Sequence, residues 1–68
     1  MKEFAERLKQ RQTELRITQK DLARRVNISD ATIANYIHGR SLPPIDVACQ
    51  IANELCVSIG WLCGGDDR

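Results

Sequence analysis

Small and hydrogen-bonding side chains recur along one face of a predicted helix that covers residues 29–38. Ile33, Tyr36 and Ile37 fall on the opposite, apolar face at helical spacing. The polar face carries Asp30, Ala31, Ala34, Asn35 and His38. An Asn side chain can pair with N6 and N7 of adenine, and an Ala methyl can meet the methyl of thymine. All residues of this face except His38 are therefore candidate contacts to DNA bases.

Three of these side chains also have explanations that involve no DNA. In the first turn of a helix, the Asp30 carboxylate complements the helix dipole by about 0.3–1 kcal/mol. The same carboxylate could accept a hydrogen bond from cytosine N4. Asn35 could be a solvated helix residue, and His38 could either donate to a phosphate or be a cation favoured by the helix C-terminus. The sequence leaves these alternatives open.

Two short helices with a very short break between them, about residues 18–38, would present this face. Thr18 and Ser29 are placed as the N-caps of the first and the second helix. Asn27 tolerates the left-handed conformation that a sharp exit from the first helix needs, and Ile28 can fill the corner. Two helices crossing steeply leave the second one standing out from the body, which suits insertion into a major groove.

Three further helices are predicted to complete an all-α domain. The first runs from Lys2 to about Glu14, the fourth from Pro44 to about Leu55, and a last short helix follows Ser58. The side chains predicted to face the core are Phe4, Ala5, Leu8 and Leu15 in the first helix, Ile45, Ala48, Cys49, Ala52 and Leu55 in the fourth, and Ile59, Trp61 and Leu62 in the last. The prediction is a compact five-helix domain spanning residues 1–68.

Length and composition exclude several classes of protein. A chain of 68 residues is one domain without room for a cleft between domains, and 43% hydrophobic with 28% charged residues is ordinary for a globular protein. No apolar stretch approaches the roughly 18 residues of a membrane span, and the N-terminus lacks a signal-peptide pattern. We therefore expect a cytoplasmic protein.

The charge is distributed unevenly although its sum is only +1. Residues 1–45 contain nine Lys and Arg against five acids, whereas residues 46–68 contain one Arg against four acids. The basic part is the part that holds the helix pair. A basic face with an acidic far side is therefore expected, which favours a nucleic-acid partner.

The cysteines and the single histidine do not form a recognisable metal or catalytic pattern. Cys49, Cys56 and Cys63 are seven residues apart, and no Cys-x-x-Cys motif is present. We expect reduced, partly buried thiols and no bound metal or other cofactor. No nucleophile, base or carboxylate pair indicates an enzyme.

Residues 17–40 and residues 57–64, Val-Ser-Ile-Gly-Trp-Leu-Cys-Gly, together resemble a known domain. It is the helix-turn-helix domain of phage repressors of the lambda, 434 and P22 type and of the wider Xre-like regulators. The resemblance covers about the whole chain. It implies a compact five-helix lambda-repressor-like fold and a bacterial, cytoplasmic regulator associated with chromosomal or phage DNA.

The resemblance also implies roles for individual residues. It assigns the strongest base reading to Asp30, Ala31 and Asn35, and it assigns a backbone phosphate to Gln19 at the start of the second helix. Their positions around the helix pair predict further attraction to phosphates by Arg40, Ser41, His38, Lys20, Arg11 and Arg16. Arg7, Lys9 and Arg11 of the first helix are expected to be largely solvated.

The chain departs from the family at two backbone positions and at a pair of charged side chains. Asn27 and Cys56 stand where these repressors commonly have Gly, and a Cys at positive φ costs about 1 kcal/mol, which would favour a different local geometry at Cys56. Several relatives pair an Arg on the first helix with a Glu on the third. The matching residues here are Gln12 and Ile37, so that ion pair is absent.

The leading hypothesis is a sequence-specific transcriptional regulator of the phage-repressor type, which reads the major groove with the helix at about residues 29–38. The alternative is a helical protein–protein interaction module, which would present a contiguous apolar patch on that face. The expected partners are a two-fold symmetric DNA operator and a second copy, held by a small patch near Ile59 and Cys63 as a weak or DNA-dependent homodimer. Residues 64–67 are predicted to start a flexible exit towards a C-terminal dimerisation or self-cleaving domain.

Overall fold

The computed structural model describes residues 2–66, which form five α-helices. These are α1 (Lys2–Glu14), α2 (Gln19–Arg25), α3 (Asp30–Ile37), α4 (Ile45–Glu54) and α5 (Ile59–Leu62). Residues 2–66 contain no β-strand. The predicted all-α, five-helix fold is therefore confirmed.

Side-chain caps set the starts of α2, α3 and α5. Each cap accepts a hydrogen bond from the backbone N–H three residues later, at 3.0 Å for Thr18, 3.1 Å for Ser29 and 2.9 Å for Ser58. Such a bond satisfies an N–H group that has no partner inside the helix. All three caps form as predicted, so local sequence determines where the helix pair begins.

Non-glycine residues in the left-handed backbone conformation follow three of the helices. Asn27 has φ 59° between α2 and α3, as predicted, and Ile28 beside it packs half-buried against the core. Arg16 (φ 56°) and Cys56 (φ 58°) adopt the same conformation after α1 and α4. The sequence favoured a different geometry at Cys56. That expectation was wrong, because the Cys adopts the positive φ that a glycine would otherwise supply, at a cost of about 1 kcal/mol.

The core draws on every helix. Its fully buried large side chains are Leu8, Leu22, Ile33, Ile51, Leu55 and Leu62. Trp61, predicted to close the core, is 7% exposed and confirms that prediction. Packing of this kind fixes the angle between α2 and α3, because each of the two helices has an apolar face buried in the same cluster.

The inner face of α4 differs from the prediction. Ile45 is 71% exposed and Cys49 is also exposed, whereas Ile51 is fully buried beside Ala48. The buried stripe is therefore rotated relative to the predicted one, which wrongly included Ile45 and Cys49. All three cysteines are free and exposed, so the expectation of partly buried thiols was also wrong.

Two arginines of α1 are structural rather than solvated. Arg7 donates to the backbone oxygens of Trp61, at 2.7 Å, and Gly65, and its guanidinium lies 4.9 Å from the centre of the Trp61 ring. Arg11 donates to the backbone oxygen of Leu55 at 2.8 Å. These contacts hold the acidic end of the chain to α1. Gly65, within the predicted exit, is held in this way, and the last member of the exit, Asp67, lies outside the described residues.

Candidate nucleic-acid interface

The predicted base-contacting residues lie together on the outer face of α3. Asp30, Ala31 and His38 are exposed, and Ala34 and Asn35 are half-buried at the edge of the same face. The inner residues Ile33, Tyr36 and Ile37 are buried as predicted. Large exposed apolar side chains within residues 2–66 are Leu42 and Ile45, and both lie outside α3. The outer face of α3 thus offers small groups and hydrogen-bonding groups instead of an apolar patch.

Gln19 connects the two helices of the pair. It is the first residue of α2, it is half-buried, and its Nε2 donates to the backbone oxygen of Asp30 at 3.5 Å. The bond is long and therefore weak, but it holds the amide beside the start of α3. The residue that the resemblance assigns to a phosphate accordingly lies next to the first candidate base contact.

Four of the other candidate phosphate contacts are exposed, and they lie in the first turn of α2 or directly after α3. Lys20 is exposed in the first turn of α2, and His38, Arg40 and Ser41 are exposed where α3 ends. The N–H of Arg40 donates to the backbone oxygen of Asn35 at 2.9 Å, which ties this turn to the helix. Exposed donors therefore follow the end of α3, and the Gln19 amide lies beside its start. Contacts from such donors to phosphates are what positions a protein on duplex DNA.

Arg11 and Arg16 are placed differently from one another. The Arg11 side chain is only 19% exposed and is engaged by Leu55 and, at 3.3 Å, by Glu14. Arg16 is exposed in the left-handed turn after α1. A direct phosphate contact by Arg11 would compete with its internal bonds, so its long-range attraction to DNA stays a prediction.

Gln12 and Ile37 occupy the two positions at which several repressors that the chain resembles have an ion pair. Ile37 is buried, and the Oε1 atom of Gln12 is buried without a hydrogen-bond partner within residues 2–66. A buried amide oxygen without a partner costs about 1–3 kcal/mol. At the two positions of the charged pair, this chain therefore has an apolar residue on α3 and an amide on α1 whose oxygen has no hydrogen-bond partner within residues 2–66.

An apolar groove lies beside this surface, on the loop between α3 and α4. Leu42 is 48% and Ile45 71% exposed. They line a groove of about 170 Å³ together with Phe4, Pro43, Ala48, Ile59 and Cys63. A contact patch was predicted at Ile59 and Cys63, whereas Leu42 was not predicted to belong to it and Ile45 was predicted to face the core. The available signal was the position of the two side chains on either side of Pro43-Pro44, where the chain enters α4 and its first residue need not face the core.

Two findings concern membranes and metals. Among residues 2–66, no helix has the length and apolar character required to cross a bilayer. The same residues contain no group of three or more His, Cys, Asp or Glu side chains that could hold a metal ion.

One of three comparisons with known proteins found a match to this chain. Neither the search of curated proteins nor the search of solved structures found a match. A family model described as helix-turn-helix matches residues 8–62. The matched segment runs from the middle of α1 through α5 and includes both helices of the pair. The chain therefore belongs to this helix-turn-helix family of DNA-binding regulators.

Proposed function

We propose that this protein is a sequence-specific repressor of the phage type, which binds double-stranded operator DNA with α3 in the major groove. Asp30, Ala31, Ala34 and Asn35 face the base edges. The backbone phosphates are held by Gln19, Lys20, His38, Arg40 and Ser41, with longer-range attraction from Arg11 and Arg16. Such a repressor would act in the bacterial cytoplasm on chromosomal or phage DNA.

The outer face of α3 is the observation that carries this proposal. Its side chains are small or hydrogen-bonding, the half-buried Gln19 amide lies beside its start, and exposed donors follow its end. A protein interaction module would need an apolar patch on this face. The exposed Leu42 and Ile45 lie beyond the helix, which favours DNA over a protein partner at α3.

Selection of bound duplexes from a random pool tests the proposal. Enrichment of one short motif is expected, and a pool that stays random would contradict sequence-specific reading. With the selected duplex, Arg40→Ala should weaken binding to the operator and to random DNA alike and lower the slope of log K against log salt by about 0.9. Gln19→Ala should weaken both with little change of slope, because Gln carries no charge.

We further propose that two copies bind a two-fold symmetric operator cooperatively. One helix in the groove reads only a few base pairs, and domains of this class bind half-sites about 10 base pairs apart. The apolar groove at Leu42 and Ile45 follows directly after Arg40 and Ser41, so a copy on the neighbouring half-site could reach it. Because the groove is small, the free protein should be a monomer at micromolar concentration.

Light scattering and titration of duplexes with one or two half-sites test this assembly. Ile45→Ser should abolish cooperativity without changing the affinity for a single half-site. Cys49→Ser, on the exposed face of the same helix but outside the groove, is the matched control. A stable dimer without DNA, or equal affinity per site on both duplexes, would show that the proposed assembly is wrong.

A further inference from the structure

An open cleft lies between the beginning of α1 and the end of α3. It has a volume of about 480 Å³ and is lined by Lys2, Ala5, Glu6, Lys9, Ile37, His38 and Gly39. The four residues from α1 are spaced as one helix face. The other three are the last residues of α3 and the turn that follows it. The cleft thus joins the end of the proposed reading helix to a part of α1 that the proposed interface does not include.

Two ammonium groups and one carboxylate carry the charge in the cleft. Lys2 and Lys9 extend from α1 on one side, and His38 lies on the other. The carboxylate in the cleft, Glu6, lies 4.0 Å from the Lys2 ammonium, and both side chains are largely exposed. Such an exposed pair contributes little. Lys9 has no carboxylate within ion-pair distance among residues 2–66.

We propose that this cleft binds a phosphate of the DNA backbone, with the Lys9 ammonium as its main contact and Lys2 and His38 around it. This inference rests on the proposed DNA-binding function and extends it onto α1. Because His38 and Gly39 come immediately before Arg40 and Ser41, a DNA strand held by those two residues passes the mouth of the cleft. An ammonium on a flexible stem can meet a phosphate there without the fixed geometry that base reading requires.

Single neutral phosphates test the assignment. The selected operator is prepared with one methylphosphonate linkage at a time, and each duplex is titrated with the wild type, Lys9→Gln and Arg40→Ala. Neutralising one particular linkage should weaken binding by the wild type but not by Lys9→Gln. A different linkage should weaken binding by the wild type but not by Arg40→Ala. On the unmodified operator, Lys9→Gln should bind about fivefold more weakly at about 0.15 M salt and lower the salt slope by about 0.9.

A pair of acidic residues supplies the matched control for net charge. Glu6→Gln removes a carboxylate inside the cleft, whereas Asp66→Asn removes one near α5 on the acidic side of the chain. Each variant loses one negative charge, so the net charge rises by the same amount in both. Glu6→Gln should strengthen operator binding more than Asp66→Asn, because only Glu6 would repel a phosphate in the cleft. Equal gains would indicate general charge attraction and overturn the proposed site.

The remaining outcomes separate this inference from the function on which it rests. One outcome is that the wild type binds the operator while every neutral linkage that weakens its binding also weakens the binding of Lys9→Gln. In that case the cleft is not a phosphate site, although the protein reads DNA. If no duplex is bound, the proposed function itself fails. Binding of inorganic phosphate that is lost in Lys9→Gln, together with an operator affinity that Lys9→Gln leaves unchanged, would assign the cleft to free phosphate and contradict the backbone contact.

Discussion

α3 and α5 begin in the same way and differ in what they do. Each follows a Ser whose hydroxyl accepts the backbone N–H three residues later, at 3.1 Å for Ser29 and 2.9 Å for Ser58. α3 then continues for eight residues and leaves one face of small and polar groups exposed. α5 stops after four residues and buries Trp61 and Leu62. The same local start therefore precedes an exposed polar face, which we propose reads DNA, in one helix and closure of the core in the other.

The largest expected effect separates the structural role of α5 from the proposed reading role of α3. Trp61→Ala should lower the free energy of unfolding by about 3–5 kcal/mol, because the buried ring and its contact with the Arg7 guanidinium are both lost. In a domain of this size the melting temperature should fall by more than about 12 °C. Trp61→Phe keeps an aromatic face and should lose less. An unchanged melting temperature in Trp61→Ala would contradict the closing role of α5.

The next effect concerns α3 alone. Asn35→Ala should weaken operator binding by about 1–3 kcal/mol and relax the preference at one base position. It should leave the melting temperature nearly unchanged, because Asn35 is only half-buried and Ala favours helix. Binding to the operator and to duplexes altered at single positions would be compared. Equal losses on all of them would mean that Asn35 does not read a base.

The starts of α3 and α5 were predictable because each depends on two residues three positions apart. The buried face of α4 was not predictable from the sequence. The stripe through Ile45, Ala48 and Cys49 and the stripe through Ala48, Ile51 and Leu55 are both apolar at helical spacing. Periodicity cannot choose between them, since the loop at Pro43-Pro44 fixes how the helix is rotated.

The roles of two arginines on α1 were unpredictable for another reason. The carbonyl partners of Arg7 and Arg11 are on Trp61, Gly65 and Leu55, which lie 44 to 58 residues further along the chain. A sequence pattern shows charged residues on a helix surface, and solvation is the usual outcome. The candidate base face of α3 needed no such information, because its inner residues Ile33, Tyr36 and Ile37 determine what remains outside.

The two caps provide a paired test of moderate size. Ser29→Ala and Ser58→Ala should each lower the free energy of unfolding by about 1 kcal/mol, because each removes one N-cap hydrogen bond. Well below the melting temperature, only Ser29→Ala should weaken operator binding, since it loosens the start of the reading helix. Chemical denaturation and duplex titration measure the two effects. Equal losses of affinity in both variants would mean that the caps act through general stability.

The smallest expected effect decides between the two roles of Asp30. Its carboxylate is exposed in the first turn of α3, as that of Asp46 is in the first turn of α4. Asp30→Asn and Asp46→Asn should each cost about 0.3–1 kcal/mol of stability through the helix dipole. Only Asp30→Asn should change DNA binding. A changed preferred base would indicate that the carboxylate accepts a hydrogen bond from cytosine, whereas a uniform gain in affinity would indicate relief of phosphate repulsion. If both variants bind every duplex equally, Asp30 acts on the helix alone, and the base-reading surface of α3 begins at Ala31.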